Sequence, residues 1–295
     1  MTDRSFREYS PHTPQIETVE RLWKGSIDMH IHPIPDPGMR RRVDSMQAAI
    51  DAQAAGMKAI VLKSHYYPTV QLADAAQYVA PDVITIGGLV IGYETGGLSV
   101  DVVECQAKLG MKILWMLNSA IQCHKALKKE GGIPILDSKG KLLPDVVKIL
   151  KIVKKYNICL TNCHLSYEET VPLFEEAISM GITKLLVNHP MFDQIWDPMT
   201  MDEMKKLASM GAYIEHCYRC TMPLAGSFDP RDFVKAIREI GAEHTIMSTD
   251  FGQVTDAPPV YGMRGFIATM LQLGVSEEEV EIMVKNNPAK LLDLD

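Results

Sequence analysis

The stretch Ser26–Pro33 reads SIDMHIHP and is the first of eight short runs typical of β-strands. The apolar core of such a run, AIVL or KLLV for example, lacks polar–apolar alternation, as expected where both faces of a parallel sheet are covered. The runs start 26 to 46 residues apart, which leaves room for a helix between consecutive strands. The other seven runs are Ala59–His65, Thr85–Gly92, Lys112–Asn118, Ile158–His164, Lys184–His189, Ala212–Cys217 and Thr245–Asp250.

Helix-like stretches separate these runs, and several of them end at a glycine that can supply a left-handed helix end. The stretches are Arg42–Ala55, Ser99–Leu109, Leu143–Tyr156, Tyr167–Met180, Met201–Met210 and Asp229–Ile240, and the glycines are Gly56, Gly110, Gly181, Gly211 and Gly241. An open doubly wound sheet would usually carry a glycine-rich phosphate loop after its first strand, and DMHIHPIPD contains no glycine. We therefore predict an α/β fold of the (β/α)8 TIM barrel type.

The widest spacing contains Glu130–Leu143, EGGIPILDSKGKLL, in which DSKG is typical of a turn. We predict an inserted flap after strand four, over the barrel mouth; an ordinary surface hairpin is the alternative. No linker rich in Pro, Gly or Ser divides the chain. The sequence therefore predicts a single barrel domain over residues 1–295, with residues 1–25 as an N-terminal extension.

Composition excludes several classes of partner. The 295 residues carry a formal net charge of −7 and lack the clustered basic face that nucleic acid requires. No run is long and apolar enough for a membrane span, and no apolar leader begins the chain, so we expect a cytoplasmic protein that acts on a small molecule. Six cysteines in a chain with its own core predict no disulfide framework. The sequence leaves open whether the protein is a homo-oligomer.

Metal-binding side chains recur at the ends of the predicted strands. His30 and His32 are two residues apart on the first strand, so both project from the same side and can bind one metal ion. His164 closes the fifth run, His189 the sixth and Asp250 the eighth. Because the carboxyl ends of barrel strands converge on one face, we expect all five at one site.

The motifs DMHIHP, TNCH, VNHP and STDFG, in this order, resemble those of the amidohydrolase superfamily, and NPAKLLDL resembles its closing helix. The resemblance runs from about Ser26 onward and implies a metal-dependent enzyme built on a distorted barrel. It matches His189 to the histidine of the sixth strand. The metal ligands that it implies are His30, His32, His164 and Asp250.

The fourth run departs from the two-metal members, which carry a carbamylated lysine or a glutamate there, whereas KILWMLN ends in Asn118. This favours one divalent ion, zinc in the first place, although such a site also suits iron, cobalt, nickel or manganese. Lys63 and His65 lie on the same side of the second strand, and we predict that both bind substrate. The alternatives are a carbamylated Lys63 that bridges two metal ions, or a snorkelling lysine beside a structural histidine.

These residues predict a metal-dependent hydrolase that cleaves a C–N or C–O bond, as in a cyclic amide or lactone. Asp250 would act as the general base towards metal-activated water, and His189 would stabilise the developing oxyanion. The alternative on the same site is a non-oxidative decarboxylase of a small ring carboxylate. A non-catalytic metal-binding barrel and a phosphoesterase are weaker alternatives.

Further candidates come from the seventh strand and its surroundings. Glu215 and His216 are adjacent, so at most one of them points into the barrel mouth. Arg219 and Arg264 are candidates for binding an anionic substrate. The spacing of Cys217–Cys220 matches half of a zinc or redox motif, but the second half is missing, which favours buried free thiols.

Overall fold

The computed structural model of the protein describes residues 14–118, 120, 131–192, 198–226 and 228–294. Eight strands carry the architecture, and each coincides with a predicted run to within a few residues at either end. They are β1 (Ile27–Ile31), β2 (Ala59–Leu62), β3 (Ile84–Val90), β4 (Ile113–Trp115), β5 (Cys159–Thr161), β6 (Leu185–Val187), β7 (Tyr213–Cys217) and β8 (Thr245–Ser248).

The strands form one parallel sheet in the order β1 to β8. After β8 the chain returns alongside β1. The Asp250 amide donates to the His30 carbonyl at 2.9 Å, and the His32 amide donates to the Phe251 carbonyl at 2.8 Å. We call this contact, His30–His32 beside Asp250–Gly252, the β1–β8 seam. The sheet is thereby a nearly closed barrel, and the predicted (β/α)8 fold is confirmed.

Helices precede, connect and follow the strands. They are α1 (Ile16–Trp23), α2 (Ser45–Ala54), α3 (Val70–Val79), α4 (Val100–Lys108), α5 (Pro144–Tyr156), α6 (Tyr167–Ser179), α7 (Met201–Ser209), α8 (Pro230–Ile240), α9 (Pro259–Gln272), α10 (Glu277–Glu281) and α11 (Asn287–Leu292). The five glycines predicted to end helices all have positive φ angles, between 68° and 96°. This is the backbone conformation that glycine adopts without strain, so these helix ends are confirmed.

One end of the barrel is closed by the C-terminal helix. The interior core, to which all eight strands contribute, includes Met29 and Trp115, and residues of α11 pack against it. Asp293, which follows α11, forms an ion pair with Lys184 just before β6. The helix therefore covers the amino ends of the strands and leaves the carboxyl ends for the cavity.

The segment after β4 is only partly described. Leu136 pairs with Leu142, and the Asp137 amide donates to the Lys141 carbonyl at 2.7 Å, so a turn lies at the predicted DSKG sequence. Residues 121–130 lie outside the described residues. None of the described residues 131–143 lines the cavity at the carboxyl end of the barrel, and a flap over the barrel mouth is not confirmed.

Two further expectations concern the whole chain. In the part of the chain that the structure describes, no helix combines the length and the apolar character that crossing a membrane requires. The single-domain organisation of residues 1–295 stays a prediction.

The β1–β8 seam leaves no room for a side chain at Gly252. Its φ is 151°, and a Cβ atom there would lie 1.9 Å from the His32 carbonyl oxygen. Gly110 also has a positive φ, 96°, but nothing lies within 4 Å of its Cβ position. We expect Gly252→Ala to lower the free energy of unfolding by about 2 kcal/mol more than Gly110→Ala, because only the first must displace backbone. Chemical denaturation measures both variants, and equal losses would contradict the close approach.

Candidate active site

A cavity of about 280 Å³ opens at the carboxyl end of the barrel, the end at which barrel enzymes carry their active sites. Its lining includes the predicted site residues His32, Lys63, His65, His164, His189 and Asp250, together with Asp36, Arg41, Tyr66, Phe192, Arg219 and Gln253. His30 is fully buried beside His32. The structure thus brings these seven predicted site residues to one place, while their roles stay predictions.

Five histidine rings form a closed circle in the cavity wall. In order around the circle they are His30, His32, His65, His164 and His189, and neighbouring ring centroids lie 5.0 to 5.7 Å apart. The rings come from the ends of β1, β2, β5 and β6. His65 therefore completes a set whose other four members match the superfamily motifs.

His30, His32 and Asp250 direct three ligand atoms to one point. The Nε2 atoms of the two histidines are 3.2 Å apart, and Asp250 Oδ1 lies 3.2 Å from the first and 3.0 Å from the second. A single proton can join two of these atoms, whereas a divalent cation can coordinate all three, so the donor set fits a metal ion. His164 is not part of this tight set, whose atoms all lie within 4.8 Å of one another.

Glu215 fixes the orientation of the His30 ring. Its Oε2 lies 3.3 Å from His30 Nδ1, and both side chains are fully buried. Because a carboxylate only accepts, Nδ1 carries the proton and Nε2 faces the other ligands. The Asn188 side-chain amide also donates to Glu215, and the Thr161 hydroxyl donates to Asn188. A hydrogen-bonded chain from β5 to β7 therefore supports the first ligand.

His164 is oriented by a backbone group. Its Nδ1 lies 3.3 Å from the Asn118 carbonyl oxygen, so Nδ1 donates and the lone pair is on Nε2. On the circle, His164 lies between His65 and His189, across from the converging ligand atoms. This position keeps the predicted fourth ligand in the same cavity but outside the tight set.

Burial keeps most of the circle uncharged. It lowers the pKa of His32, His65 and His164 well below the usual value, and the nearby charge of Lys63 adds to this effect at His65 and His164. Burial also lowers the pKa of His189 to about 4. Neutral imidazole is the form that binds a metal ion, so these rings are ready as ligands at neutral pH.

Two of the buried carboxylates are held in the ionised form. Burial raises the pKa of Glu215, but the His30 and His189 rings and the Ser248 hydroxyl together outweigh burial and lower it to about 2. At Asp250 burial also raises the pKa, but the His30, His32 and His189 rings together outweigh it and hold the pKa well below the usual range. Both groups are therefore acceptors at neutral pH.

The backbone turns sharply where two of these side chains enter the cavity. His189 has a φ of 22° and Asp250 a φ of 56°, and each lies two residues beyond the end of its strand. Non-glycine residues adopt such angles only where their surroundings hold them. At Asp250 the amide hydrogen bond to the His30 carbonyl supplies that constraint.

The structure places the remaining candidates. Glu215 points inward, and its neighbour His216 stacks on Phe233 with ring centroids 4.8 Å apart. Arg219 lines the cavity and forms an ion pair with Asp256. Arg264 lies elsewhere, because it joins α9 to Glu20 of α1 at 2.5 Å. An anion-binding role for Arg264 in this cavity is therefore wrong.

None of the cysteines that the structure describes forms a disulfide bond. Cys217 and Cys220 are buried free thiols, like Cys159 and Cys163, and all five cysteines that the structure describes are unpaired with one another. Burial raises the pKa of the Cys217 thiol well above its usual value. The thiol lies 3.7 Å from His30 Nδ1 and packs behind the ligand.

Sequence reasoning missed a group at the cavity mouth. Arg41 is 8% exposed and donates from Nε to Asp36 at 2.6 Å. The Arg41 backbone also pairs with that of Gln253, which follows the β1–β8 seam, in an isolated antiparallel β-bridge. Asp36 and Arg41 belong to a loop with no strand period, and the signal that could have found them is the position of Asp36 just beyond the HxH pair.

The sequence of the chain matches one known protein family. A model of a family of unknown function, DUF6282, matches residues 25–215. No match was found among curated proteins.

Three solved structures illustrate the fold that the chain shares with known proteins. An amidohydrolase from Pseudomonas aeruginosa is 13% identical, with a TM-score of 0.62 over 93% of this chain and 98% of that one. A phosphotriesterase homology protein from Escherichia coli, complexed with phosphate, is 13% identical, with a TM-score of 0.58 over 90% and 99%. A dihydroxybenzoic acid decarboxylase from Polaromonas sp. JS666, with manganese and 2-nitroresorcinol, is 14% identical, with a TM-score of 0.55 over 92% and 97%. The chain therefore shares the barrel fold of these three proteins, an amidohydrolase among them.

Glu215→Gln tests whether this carboxylate supports the metal centre. An amide can present its NH₂ group to His30 Nδ1 and so favour the wrong ring tautomer, and we expect zinc affinity to fall by about 10- to 100-fold. Titration of metal-free protein with zinc measures the change. Glu175→Gln, on the exposed face of α6, is the matched control; equal affinity in both variants would contradict a supporting role.

The buried His216 side chain should make the folded protein less stable in acid. Burial lowers its pKa from 6.5 to about 4, so between these pH values the unfolded chain binds a proton that the folded chain does not. Its contribution to stability is therefore lost as pH falls from about 6.5 to 4. We expect His216→Leu to flatten the pH dependence of metal-free protein by a few kcal/mol across this window, measured by denaturation at each pH. An unchanged slope would contradict the assignment.

Proposed function

The chain belongs to DUF6282, a family of unknown function, and we propose that it is a metal-dependent hydrolase that cleaves a C–N or C–O bond of a small molecule. A cyclic amide or a lactone is the proposed type of substrate. The observation that carries the proposal is the convergence of His30 Nε2, His32 Nε2 and Asp250 Oδ1 within 3.2 Å of one another in a concave site. Supporting it, His30 has a buried carboxylate partner of the kind that metal-binding histidines use.

The residues that would hold the ion are His30, His32 and Asp250, with His164 as the predicted fourth ligand. Three imidazoles and one carboxylate suit zinc, and we propose one zinc ion per chain. When bound, a divalent ion supplies positive charge that lowers the pKa of water and polarises a carbonyl oxygen. An alternative with two ions would require Lys63 to be carbamylated.

The chain's own groups then account for proton movement. Asp250 is ionised and lines the cavity, so it can accept a proton at a carboxylate oxygen and return it to the leaving group. His189 is neutral at pH 7, because burial lowers its pKa to about 4, and a neutral imidazole still has one N–H to donate to a developing oxyanion. Lys63 and His65 line the same cavity and are the proposed substrate-binding groups.

The second candidate function is the non-oxidative decarboxylation of a small ring carboxylate. It is favoured by the buried ammonium of Lys63 in the cavity, which suits a carboxylate group. The two reactions leave different products: hydrolysis of an amide or lactone releases no carbon dioxide. Measurement of carbon dioxide from a panel of hydroxybenzoates separates them.

Metal content and turnover together test the proposed function. We expect about one zinc per chain in protein purified without added metal, and less in His164→Ala, because four ligands hold zinc better than three. His244→Ala, a histidine outside the cavity lining, is the control that should keep its metal.

Asp250→Asn removes the proposed proton acceptor and a ligand. We expect turnover of cyclic amides and lactones to fall by about 100-fold or more, since general-base catalysis alone contributes about 10²- to 10⁴-fold. Rates are compared at equal metal content, restored by added zinc. A wild-type protein that binds no metal, or an Asp250→Asn variant of full activity, would refute the proposal.

A further inference from the structure

Lys63 is a buried cation without a charged partner. Its side chain is 1% exposed, and it follows β2 at the cavity. Among the residues that the structure describes, its Nζ has no hydrogen-bond or ion-pair partner, and it lies over the Trp115 ring, 5.5 Å from the ring centroid. Burying an unpaired ammonium is costly, so its presence indicates a ligand that supplies the missing negative charge.

The acidic groups of the cavity are engaged elsewhere. Asp36 pairs with Arg41 at 2.5 Å, and Asp256 pairs with Arg219. Asp250 faces the two histidines of the tight set. None of these carboxylates forms an ion pair with Lys63, and Glu215 is held by His30 and Asn188. A bound anionic ligand is therefore a group that can balance the charge of Lys63.

The ammonium lies beside the candidate metal centre. It lines the same cavity as His32, His164 and Asp250, and the Trp115 ring beside its Nζ lies 6.5 Å from the His30 ring between centroids. The tight set of ligand atoms closes one side of the circle of histidine rings. An anionic group on Lys63 Nζ would therefore lie next to the reacting centre.

A second cation flanks the same side of the cavity. Arg41 uses Nε and Nη2 for Asp36, whereas its Nη1 is buried without a hydrogen-bond partner among the described residues. Its charge acts on His32, and the His32 ring stacks on His65 at 5.0 Å. Two donors without partners thus border the β1–β2 side of one small cavity.

We propose that the substrate is a small acid, and that Lys63 binds its carboxylate or phosphate group with Arg41 as a second positively charged contact. The inference rests on the proposed function, which places the reacting bond at the metal centre. Both anions offer negatively charged oxygens that can accept from an ammonium and a guanidinium together. A cavity of about 280 Å³ limits the ligand to a small molecule.

Calorimetric titration of the full-length, zinc-loaded protein with inorganic phosphate and, separately, with benzoate tests the inference. We expect at least one of them to bind wild-type protein, and Lys63→Met to weaken that binding by about 10- to 100-fold at unchanged zinc content. Lys63→Arg retains the charge and should retain more of the affinity than Lys63→Met. Stronger binding of benzoate would identify a carboxylic acid, and stronger binding of phosphate would identify a phosphorylated one.

Lys58→Met is the matched control, because Lys58 lies just before β2 at the opposite end of the same strand. It should leave both dissociation constants unchanged. Lys63→Met removes an unpaired buried charge, so it should fold at least as stably as wild type, which thermal unfolding checks. The inference is overturned if neither anion binds, if Lys63→Met binds as tightly as wild type, or if wild type holds two zinc ions and Lys63→Met one.

A further titration distinguishes a failure of the anion site from a failure of the proposed metal-dependent hydrolase. The same titrations are repeated after the zinc has been removed with a chelator. Binding that still depends on Lys63 in protein that takes up no zinc would refute the proposed hydrolase and leave the anion site standing. If zinc-loaded, active protein binds the anions equally well with and without Lys63, the anion site is refuted and the proposed hydrolase stands.

Discussion

Two backbone hydrogen bonds between the first strand and the last hold both the barrel and the site together. They join the amide of Asp250 to the carbonyl of His30, and the amide of His32 to the carbonyl of Phe251. Because three of these four backbone groups belong to the candidate ligands themselves, closing the sheet also sets the separation of the ligand atoms. Gly252 is required at this point, since a side chain would meet the His32 carbonyl.

Much of the fold could be predicted because strands and helix ends alternate regularly along the chain and each is marked by a characteristic residue type. Continuous apolar runs mark strands covered on both faces, and glycines such as Gly56 and Gly181 mark the helix ends between them. The site residues followed from the same pattern: a side chain at the carboxyl end of a barrel strand, such as His164 or His189, has few places to go except the mouth. Strand alternation likewise limited Glu215 and His216 to one inward side chain.

Other parts of the site depend on tertiary contacts that have no period. Arg41 and Asp36 lie in a loop, and only folding brings them to the cavity beside Gln253. The partner of His30 could not be assigned either, because 185 positions separate it from Glu215. Arg264 shows the opposite error: a basic residue near the end of the sequence was considered for the mouth, but it joins two helices instead.

The seam also has a consequence for the order of events during synthesis. Asp28 and Thr249, whose side chains bond across it, are separated by 221 positions, so nearly the whole barrel must be made before the two strands can meet. A nascent chain that still lacks its eighth strand presents the HxH pair without the Asp250 carboxylate, so it offers the proposed metal ion two of the three converging ligand atoms. The proposed site is therefore complete only once the eighth strand has been made and has closed on the first.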